Sequence, residues 1–417
     1  MIMAMIRPET EMKDSGIEWI GDIPANWRKS KLKYLGVYIN GYAFKPSDWS
    51  ARGRQIIRIQ DLTGSNSGEP NYFNGTLDEK YRVVNGDILV SWAATLDAFI
   101  WTKEDGWLNQ HIFKAVPNEK IVKGYFLWLL KIAMDNMNND DKHGIVMQHV
   151  TIGLFNNYVV PLAPYTEQQA IANYLDETCS KIDEIIAEAK ASIDEYEKLK
   201  QATIDENILS YDSVHIKLRQ LGSLKNGLNF SHSDDVANIK FLGVGCFKEN
   251  MILSEVDDFA DEHIDFEIPE EYLLSNGDIV FVRSNGSKEL VGRSIMVENI
   301  DYPVTFSGFC IRFRNMHTEL VDNRFLLYYF RTTHFKQSLL KYSNDSTNIN
   351  NLNQEMLNAI RINAPVIAEQ KLLVKKMEEQ VFVFDSLIAE KESLIHDLEA
   401  YKKSLIYEVV TGKRRVV

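Results

Sequence analysis

Loops in both halves of the sequence hold side chains that combine hydrogen-bond donors with acceptors. Arginine or lysine matches the edge of guanine, and asparagine or glutamine matches adenine, so such loops are suited to reading DNA bases. The candidate residues of the first half are Ser91, Trp92, Thr95, Gln110, His111, His143, Gln148 and His149. Those of the second half are Arg283, Ser284, Asn285, Lys288, Ser307, Asn344, Ser346, Thr347, Asn348 and Asn350. The alternative is that these are ordinary surface loops, with Trp92 in the hydrophobic core.

Catalytic and metal-binding patterns are weak in this sequence. It has no Walker A pattern and no Pro-Pro pair, so it lacks the Asn/Asp-Pro-Pro-aromatic motif that N6-adenine methyltransferases use. The segments 188–190 and 369–371 have the Glu-x-Lys spacing of nucleases, but on a helix such residues ordinarily form a solvated face. His111 is distant in sequence from His143 and His149, which disfavours a metal site. We therefore expect no catalytic residue, no metal site and no cofactor bound by this chain.

Five basic residues outside those loops could neutralise DNA phosphates, although surface solubility explains them equally well. They are Arg54, Arg58, Arg82, Arg293 and Lys341.

The chain repeats itself once, with a period of about half its length. Asn40-Gly41 recurs as Asn226-Gly227, 186 residues later, and the segment 81–88 (YRVVNGDI) recurs at 272–279 (YLLSNGDI). Glu167-Gln168 recurs 202 residues later as Glu369-Gln370. Since matching segments follow in the same order, the sequence predicts two copies of one structural unit.

Each copy begins with a globular part and ends with a long amphipathic helix. Short β-branched and aromatic runs alternate with Gly, Asn and Asp turns, as at 55–59, 87–90, 278–282 and 309–313, and aromatic runs at 125–134 and 325–330 indicate core helices. Beyond Glu167 and Glu369, apolar residues recur at heptad spacing without Pro or Gly. The residues expected in helix pairing and partner binding are Leu175, Ile182, Ile186, Ile193, Phe384, Ile388, Ile395 and Leu398.

These patterns predict an α+β fold with two mixed α/β domains separated by two long helices that pair as an antiparallel coiled coil, in a pseudo-twofold internal repeat. The expected domain boundaries are 1–165 for the first globular domain, 166–210 for the first helix, 211–367 for the second globular domain, and 368–417 for the second helix and tail. The alternative for the helices is pairing between chains. Two domains joined in this way could contact two places on one duplex at a fixed spacing.

The composition is typical of a soluble protein of 417 residues with two or more domains: 45% of residues are hydrophobic and 25% are charged. The net charge of −13 is unusual for a DNA-binding protein, but the stretches 167–206 and 369–408 carry −7 and −3 of it. The remaining surface can therefore still present basic patches. Three well-separated cysteines without a CxxC pair, and no apolar run of roughly 18 residues, favour a cytoplasmic protein.

Several of these motifs resemble those of the specificity subunits of type I restriction–modification enzymes. The segments 15–21 (SGIEWIG), 23–27 (IPANW), 85–89 (NGDIL) and 276–280 (NGDIV) are similar to motifs of that family, as is the ending 403–413 (KSLIYEVVTGK). Glu167-Gln168 and Glu369-Gln370 resemble the entry to its spacer helices, although the Pro-Pro pair that precedes them in the family is missing here.

The resemblance implies a non-catalytic subunit with two target recognition domains, each reading one part of an interrupted double-stranded DNA target. It also implies two modification subunits that use S-adenosylmethionine to methylate adenine N6, and restriction subunits that use ATP and Mg²⁺. Two alternatives remain: a coiled-coil adaptor that binds proteins and no nucleic acid, and a self-contained methyltransferase or nuclease.

Overall fold

The computed structural model describes residues 4–65, 69–138, 150–209, 214–229, 236–248, 251–284, 290–341 and 351–416. The chain forms two compact units. The first unit contains residues 1–189 and 393–417, and the second contains residues 190–392. Both boundaries fall inside long helices, so each unit includes part of each of them.

The first unit is built from short strands and three short or medium helices before its long helix. Strands β1 to β13 are Ala4–Ile6, Met12–Asp14, Asp22–Pro24, Arg28–Lys31, Gly36–Asn40, Arg54–Ile57, Tyr72–Phe73, Arg82–Val83, Ile88–Ser91, Asp97–Ile100, Gly106–Leu108, Ile112–Pro117 and Val159–Leu162. Helices α1 to α4 are Ile59–Thr63, Lys123–Asn138, Ile152–Asn157 and Tyr165–Leu209.

Two four-stranded sheets organise the first unit. One has the order β10-β9-β12-β5 and is antiparallel throughout. The other has the order β7-β6-β11-β8 and contains one parallel pair, β6 with β11. All four residues of β9 are buried, which explains why this strand reads as a continuous apolar run. The predicted core helix is confirmed as α2, in which ten residues are buried.

The second unit repeats these elements in the same order. Strands β14 to β23 are Val214–Lys217, Gly222–Asn226, Ile239–Leu242, Ile252–Leu253, Ala260–Glu262, Ile279–Val282, Ser294–Val297, Val304–Phe306, Cys310–Asn315 and Arg361–Ala364. Helices α5 to α9 are Leu218–Leu221, Asn323–Tyr329, Thr333–Leu340, Gln354–Ala359 and Ile367–Val410.

The sheets of the second unit have the orders β15-β22-β19-β20-β17 and β18-β16-β21. The central antiparallel pair β9–β12 of the first unit corresponds to β19–β22, and the parallel pair β6–β11 corresponds to β16–β21. The internal duplication predicted from the sequence is therefore a duplication of sheet topology. The second unit has an added edge strand, β17, and two helices, α6 and α7, in place of α2, and among the described residues its smaller sheet has no strand in the place of β8.

The repeated Asn-Gly-Asp motif forms the turn before β9 and β19. Gly86 and Gly277 have φ values of +92° and +87°, a conformation that favours glycine. The carboxylate of Asp87 accepts the backbone N–H of Val84 at 2.9 Å, and that of Asp278 accepts the N–H of Ser275 at 2.8 Å. The glycine and the aspartate of the motif are thus explained by the geometry of the turn.

The glutamine of each Glu-Gln pair is buried at the entry to its long helix. The Gln168 side chain accepts the Val122 N–H at 2.8 Å, next to the start of α2, and donates to the Ala163 carbonyl at 3.0 Å. Gln370 accepts the Asp322 N–H at 2.8 Å at the start of α6 and donates to two carbonyls. These side chains satisfy backbone groups at a helix start, while Glu369 and Lys371 on either side of Gln370 are exposed on the helix surface.

Helices α4 and α9 pair within each unit. In the first unit Lys402 forms an ion pair with Asp183 at 2.6 Å. In the second unit Lys200 forms the matching pair with Asp385 at 2.8 Å, and the Asn207 amide donates to Gln380. From Lys200 to Asn207 the partner number falls from 385 to 380, so the pairing is antiparallel, as predicted. Helix α4 has 45 residues and α9 has 44.

The two ends of the described chain pair with each other in the first unit. Strand β1 is antiparallel to β24 (Arg414–Val416), and the Arg7 N–H donates to the Lys413 carbonyl at 2.8 Å. Gly412 has a φ of +76°, which lets the chain turn from α9 into β24. The C-terminal motif that the sequence singles out therefore closes this unit.

Candidate nucleic-acid interface

The candidate surface of the first unit lies where β9 ends beside the turn between β11 and β12. Trp92 follows β9, and its N–H donates to the His111 carbonyl at 3.4 Å. Its own carbonyl accepts the Val150 N–H at 3.0 Å. The Trp92 ring is half-buried, with its centroid 5.9 Å from that of Phe113 and 5.4 Å from that of His111. These contacts favour the core interpretation for most of the Trp92 ring.

The turn itself consists of Asn109, Gln110 and His111. The Asn109 side-chain oxygen accepts the His111 N–H at 3.2 Å, and its carbonyl accepts the Ile112 N–H at 3.0 Å. His111 is exposed and Gln110 is half-buried, and their side chains lie 3.3 Å apart. Two hydrogen-bonding side chains are thus presented on a backbone that is held from within the turn.

The second unit builds the same turn with different side chains. Arg283 follows β19; its N–H donates to the Phe309 carbonyl at 2.8 Å and its carbonyl accepts the Leu352 N–H at 2.8 Å. The Ser307 hydroxyl accepts the Phe309 N–H at 3.2 Å, as the Asn109 side chain does for His111. The structure therefore matches Arg283 with Trp92 and Phe309 with His111.

A glycine directly after the neighbouring strand, β5 or β15, brings each turn close to the sheet. A Cβ atom added to Gly41 would lie 1.9 Å from the Asn109 carbonyl oxygen, and one added to Gly227 would lie 2.2 Å from that of Ser307. Only a residue without a side chain allows this approach. The glycines of the repeated Asn-Gly pairs at 40–41 and 226–227 therefore allow the turns of the candidate surface to pack closely.

The predicted DNA-contacting residues fall into three groups. Exposed or half-buried in this region are Trp92, Thr95, Gln110, His111, Arg283 and Ser284. Ser91 and Ser307 are buried, at 0% and 8% exposure, and their hydroxyls are used in local hydrogen bonds. Outside the described residues lie His143, Gln148, His149, Asn285, Lys288, Asn344, Ser346, Thr347, Asn348 and Asn350.

Phe309 is a residue that the sequence interpretation placed wrongly. The apolar run 309–313 predicted a strand, but β22 begins at Cys310 and Phe309 lies in the turn, 59% exposed. The Ser-Gly pair before it is a turn signal that could have separated Phe309 from the strand.

The basic residues proposed for phosphates differ in how far their charge is already compensated. Arg82 pairs with Asp105 at 2.6 Å and Glu79 at 3.3 Å, and the hydrogen bond to Asp105 raises the pKa of its guanidinium. Arg58 lies 3.8 Å from Asp61. Arg54 stacks over the Trp107 ring at 4.5 Å, and Arg293 donates to the Lys248 carbonyl. Arg54 and Arg293 are therefore better candidates for phosphates than Arg82.

Within the described ranges, no group of three or more His, Cys, Asp or Glu side chains could hold a metal ion. Burial raises the pKa of the Cys179 thiol to about 11 and raises that of Cys310 as well, so neither thiol has the reactivity of a nucleophile at neutral pH.

Comparison with known families decides the assignment of this chain. The sequence profile of the type I restriction modification DNA specificity domain matches residues 24–195 and 212–395, one match for each half and together most of the chain. This chain belongs to that family. Its named relatives are specificity subunits, and this chain is a non-catalytic targeting subunit of a type I restriction–modification complex.

The relatives of this specificity subunit include the type I restriction enzyme MjaVIII specificity subunit of Methanocaldococcus jannaschii. It is 27% identical over 82% of both chains. The EcoBI specificity subunit of Escherichia coli is 26% identical over 46% of this chain and 41% of its own length. A chain from a solved structure of the type I system, described for its complex assembly and conformational transition, matches 94% of this chain with a TM-score of 0.71. At 13% identity it supports the fold alone.

The apolar residues at heptad spacing on α4 and α9 of this specificity subunit are buried to different degrees. In the first unit Leu175, Ile182 and Ile186 share a hydrophobic cluster with Leu405, and Ile395 and Leu398 pack against it. In the second unit Ile193 and Ile388 line a cavity of about 720 Å³, and Phe384 is half-buried.

Three large apolar side chains of α9 are more than half exposed: Leu372, Phe382 and Val383. The heptad interpretation of the sequence did not select them. Among the helices of the described residues, none is long and apolar enough to cross a bilayer.

Proposed function

We propose that each unit reads one part of an interrupted double-stranded DNA target, and that α4 and α9 set the spacing and hold the methyltransferase subunits. The observation that carries this proposal is the repeated turn. Both units hold it with the same backbone hydrogen bonds, but its exposed positions differ, His111 in one and Phe309 in the other.

Two scaffolds with one geometry and different side chains are suited to two different base sequences. Base identity is read by side-chain donors, acceptors and apolar groups, whereas the backbone only positions them. The Arg283 guanidinium has one long hydrogen bond among the described residues, to the Gly308 carbonyl at 3.5 Å, so its donors suit guanine O6 and N7. In the first unit Thr95, Gln110 and His111 supply the polar groups.

The proposed set of contacts also includes the residues that the structure does not describe, in the segments 139–149, 285–289 and 342–350. In the sequence, 285–289 comes shortly after β19, 139–149 precedes α3 and 342–350 precedes α8. The proposed division is a target recognition domain at 1–165, a spacer helix at 166–210, a second recognition domain at 211–367, and a second spacer helix with the tail at 368–417.

The partners in this proposal are two modification subunits and the restriction subunits of a type I complex. The modification subunits would bind S-adenosylmethionine and methylate adenine N6, and the restriction subunits would use ATP and Mg²⁺. The exposed Leu372, Phe382 and Val383 on α9 are candidates to pack against a partner subunit, because large exposed apolar side chains favour protein contacts. Assembly on DNA in the cytoplasm is part of the same proposal.

The experiment that tests this function maps N6-methyladenine by long-read sequencing in cells with and without this gene, with the methyltransferase subunit present in both. We expect a two-part motif with a fixed spacer that disappears when the gene is deleted. An unchanged set of methylated sites, with the protein expressed and assembled, would contradict the proposal and favour a protein-binding adaptor.

A further inference from the structure

We propose that Phe309 makes an apolar contact with the 5-methyl group of a thymine in the part of the target that the second unit reads. This inference rests on the proposed function, since it assigns one more side chain to the same surface. It goes beyond that function by naming a base and the chemical group that is recognised.

The exposure of Phe309 contrasts with its neighbours. Its side chain is 59% exposed, while Gly308 before it and Cys310 after it are buried. Single exposed apolar residues are common on protein surfaces, so exposure by itself assigns no role. The place of Phe309 in the turn is what distinguishes it.

The backbone of Phe309 is held on both sides. Its N–H donates to the Ser307 hydroxyl at 3.2 Å, and its carbonyl accepts the Arg283 N–H at 2.8 Å. The following Cys310 N–H donates to the Ser307 carbonyl at 2.8 Å. The ring is therefore carried by a pre-organised turn, directly beside the arginine proposed to read a base, and little ordering is required when it binds.

Thymine is the base that such a side chain fits. In the major groove it alone of the four bases presents a methyl group, which apolar side chains such as phenylalanine contact. The methyl group has no donor or acceptor, so it is recognised by apolar contact and not by a hydrogen bond. In the first unit the equivalent position is His111, a hydrogen-bonding residue, so this apolar contact would belong to the second unit alone.

The test is a double-mutant cycle between protein and DNA. The complete complex of this chain with its methyltransferase subunits would methylate duplexes carrying the mapped motif, in which each thymine is replaced in turn by uracil, which lacks only the methyl group. One replacement is expected to lower the methylation rate at subsaturating DNA by roughly fourfold, the factor that corresponds to removal of one buried methyl group. With Phe309→Ala the same replacement should have no further effect.

Two variants serve as controls for this cycle. Phe266→Ala removes another exposed phenylalanine of the second unit, 49% exposed and outside the turn, and should keep the full thymine-to-uracil difference. Phe309→His introduces the residue type of the first unit's turn, which that backbone accommodates, and should lose the difference while thermal unfolding is unchanged.

Three results would overturn the assignment. The first is a mapped second half-site without thymine on either strand. The second is a thymine-to-uracil effect that is as large with Phe309→Ala as with the wild type. The third is a loss of binding by Phe309→Ala that is equal for all sequences, which would indicate that Phe309 acts as a wedge between base steps. Failure of the proposed function itself would be seen separately, as the absence of a chain-dependent two-part motif with the wild-type complex.

Discussion

At the scale of single residues, the two candidate surfaces share a backbone and differ in side chains. Asn109 and Ser307 perform the same local task, since each accepts the N–H of the residue two positions later. Those two later residues, His111 and Phe309, are the exposed ones. Changes to the shared residues should therefore affect the turn itself, while changes to the exposed ones should affect only what the turn recognises.

The Gly41→Ala substitution tests the backbone packing that the two turns share. Its Cβ would lie 1.9 Å from the Asn109 carbonyl oxygen, so the turn must move, and we expect the free energy of unfolding to fall by about 1–3 kcal/mol. Proteolysis of the chain across a urea series would measure this change. Gly153→Ala is the matched control, because no atom lies within 4 Å of the added Cβ. Equal stability of the two variants would contradict the packing argument.

The Arg283→Ala substitution tests a side chain that differs between the two units. Both backbone hydrogen bonds of Arg283 are retained, so we expect a stable complex that discriminates one base of the second half-site less well, by about 1–3 kcal/mol. Methylation of duplexes with single base changes would measure the discrimination. Arg219→Ala, an exposed arginine on α5 of the same unit, should leave the motif unchanged. A motif as strict as that of the wild type with Arg283→Ala would remove this residue from the reading surface.

At the scale of elements, the pairing of α4 with α9 depends mainly on its apolar stripe. The ion pairs Asp183–Lys402 and Lys200–Asp385 are partly exposed to solvent, and such pairs contribute about 0–1 kcal/mol each. They occur at equivalent positions of the repeat and lie between the two helices, so they help to set the register. The larger contribution to stability comes from buried residues such as Ile182 and Ile186.

The Ile182→Ala substitution should show this difference. Ile182 is 5% exposed within the first hydrophobic cluster, and removal of its side chain should cost about 2–5 kcal/mol of unfolding free energy. Ile185, one turn away on the same helix and 44% exposed, is the control, and Ile185→Ala should change stability by about 0.5 kcal/mol or less. Urea unfolding of both variants followed by circular dichroism provides the measurement. Similar losses for the two would mean that α4 packs on another face.

At the scale of the whole molecule, the chain is two compact units with one fold and separate hydrophobic clusters. The first cluster contains residues of the first unit, and the clusters of the second unit contain its own. Changes in one unit are therefore expected to act on that unit.

The double variant Gly41→Ala with Gly227→Ala tests this independence. Because the two glycines lie in different units, their effects on unfolding free energy should add to within about 0.5 kcal/mol. In methylation assays, each single variant should weaken one part of the motif and leave the other part as strict as before. A single variant that relaxes both parts would show that the units do not read independently.

The sequence predicted the repeat, the two long helices, the core helices and the Asn-Gly-Asp turns. Each of these depends on local spacing or on a conformational preference of the residue itself, such as the positive φ of Gly86 and Gly277. On α4 the stripe residues Leu175, Ile182 and Ile186 are buried together, since a helix places residues three and four positions apart on one face. On α9 Ile388 is buried, while Phe384, Ile395 and Leu398 are half-buried.

Other features required the tertiary structure. The position of Phe309 beside Arg283 is one of them, because the Phe309 carbonyl accepts the Arg283 N–H although the two residues are far apart in the sequence. The match of Trp92 with Arg283, and the burial of Ser91 and Ser307, likewise depend on contacts between strands. The sequence by itself thus determined the elements and their repetition, because these follow from local periodicity. Only the tertiary structure decided which side chains share a surface, because that depends on how distant strands pair.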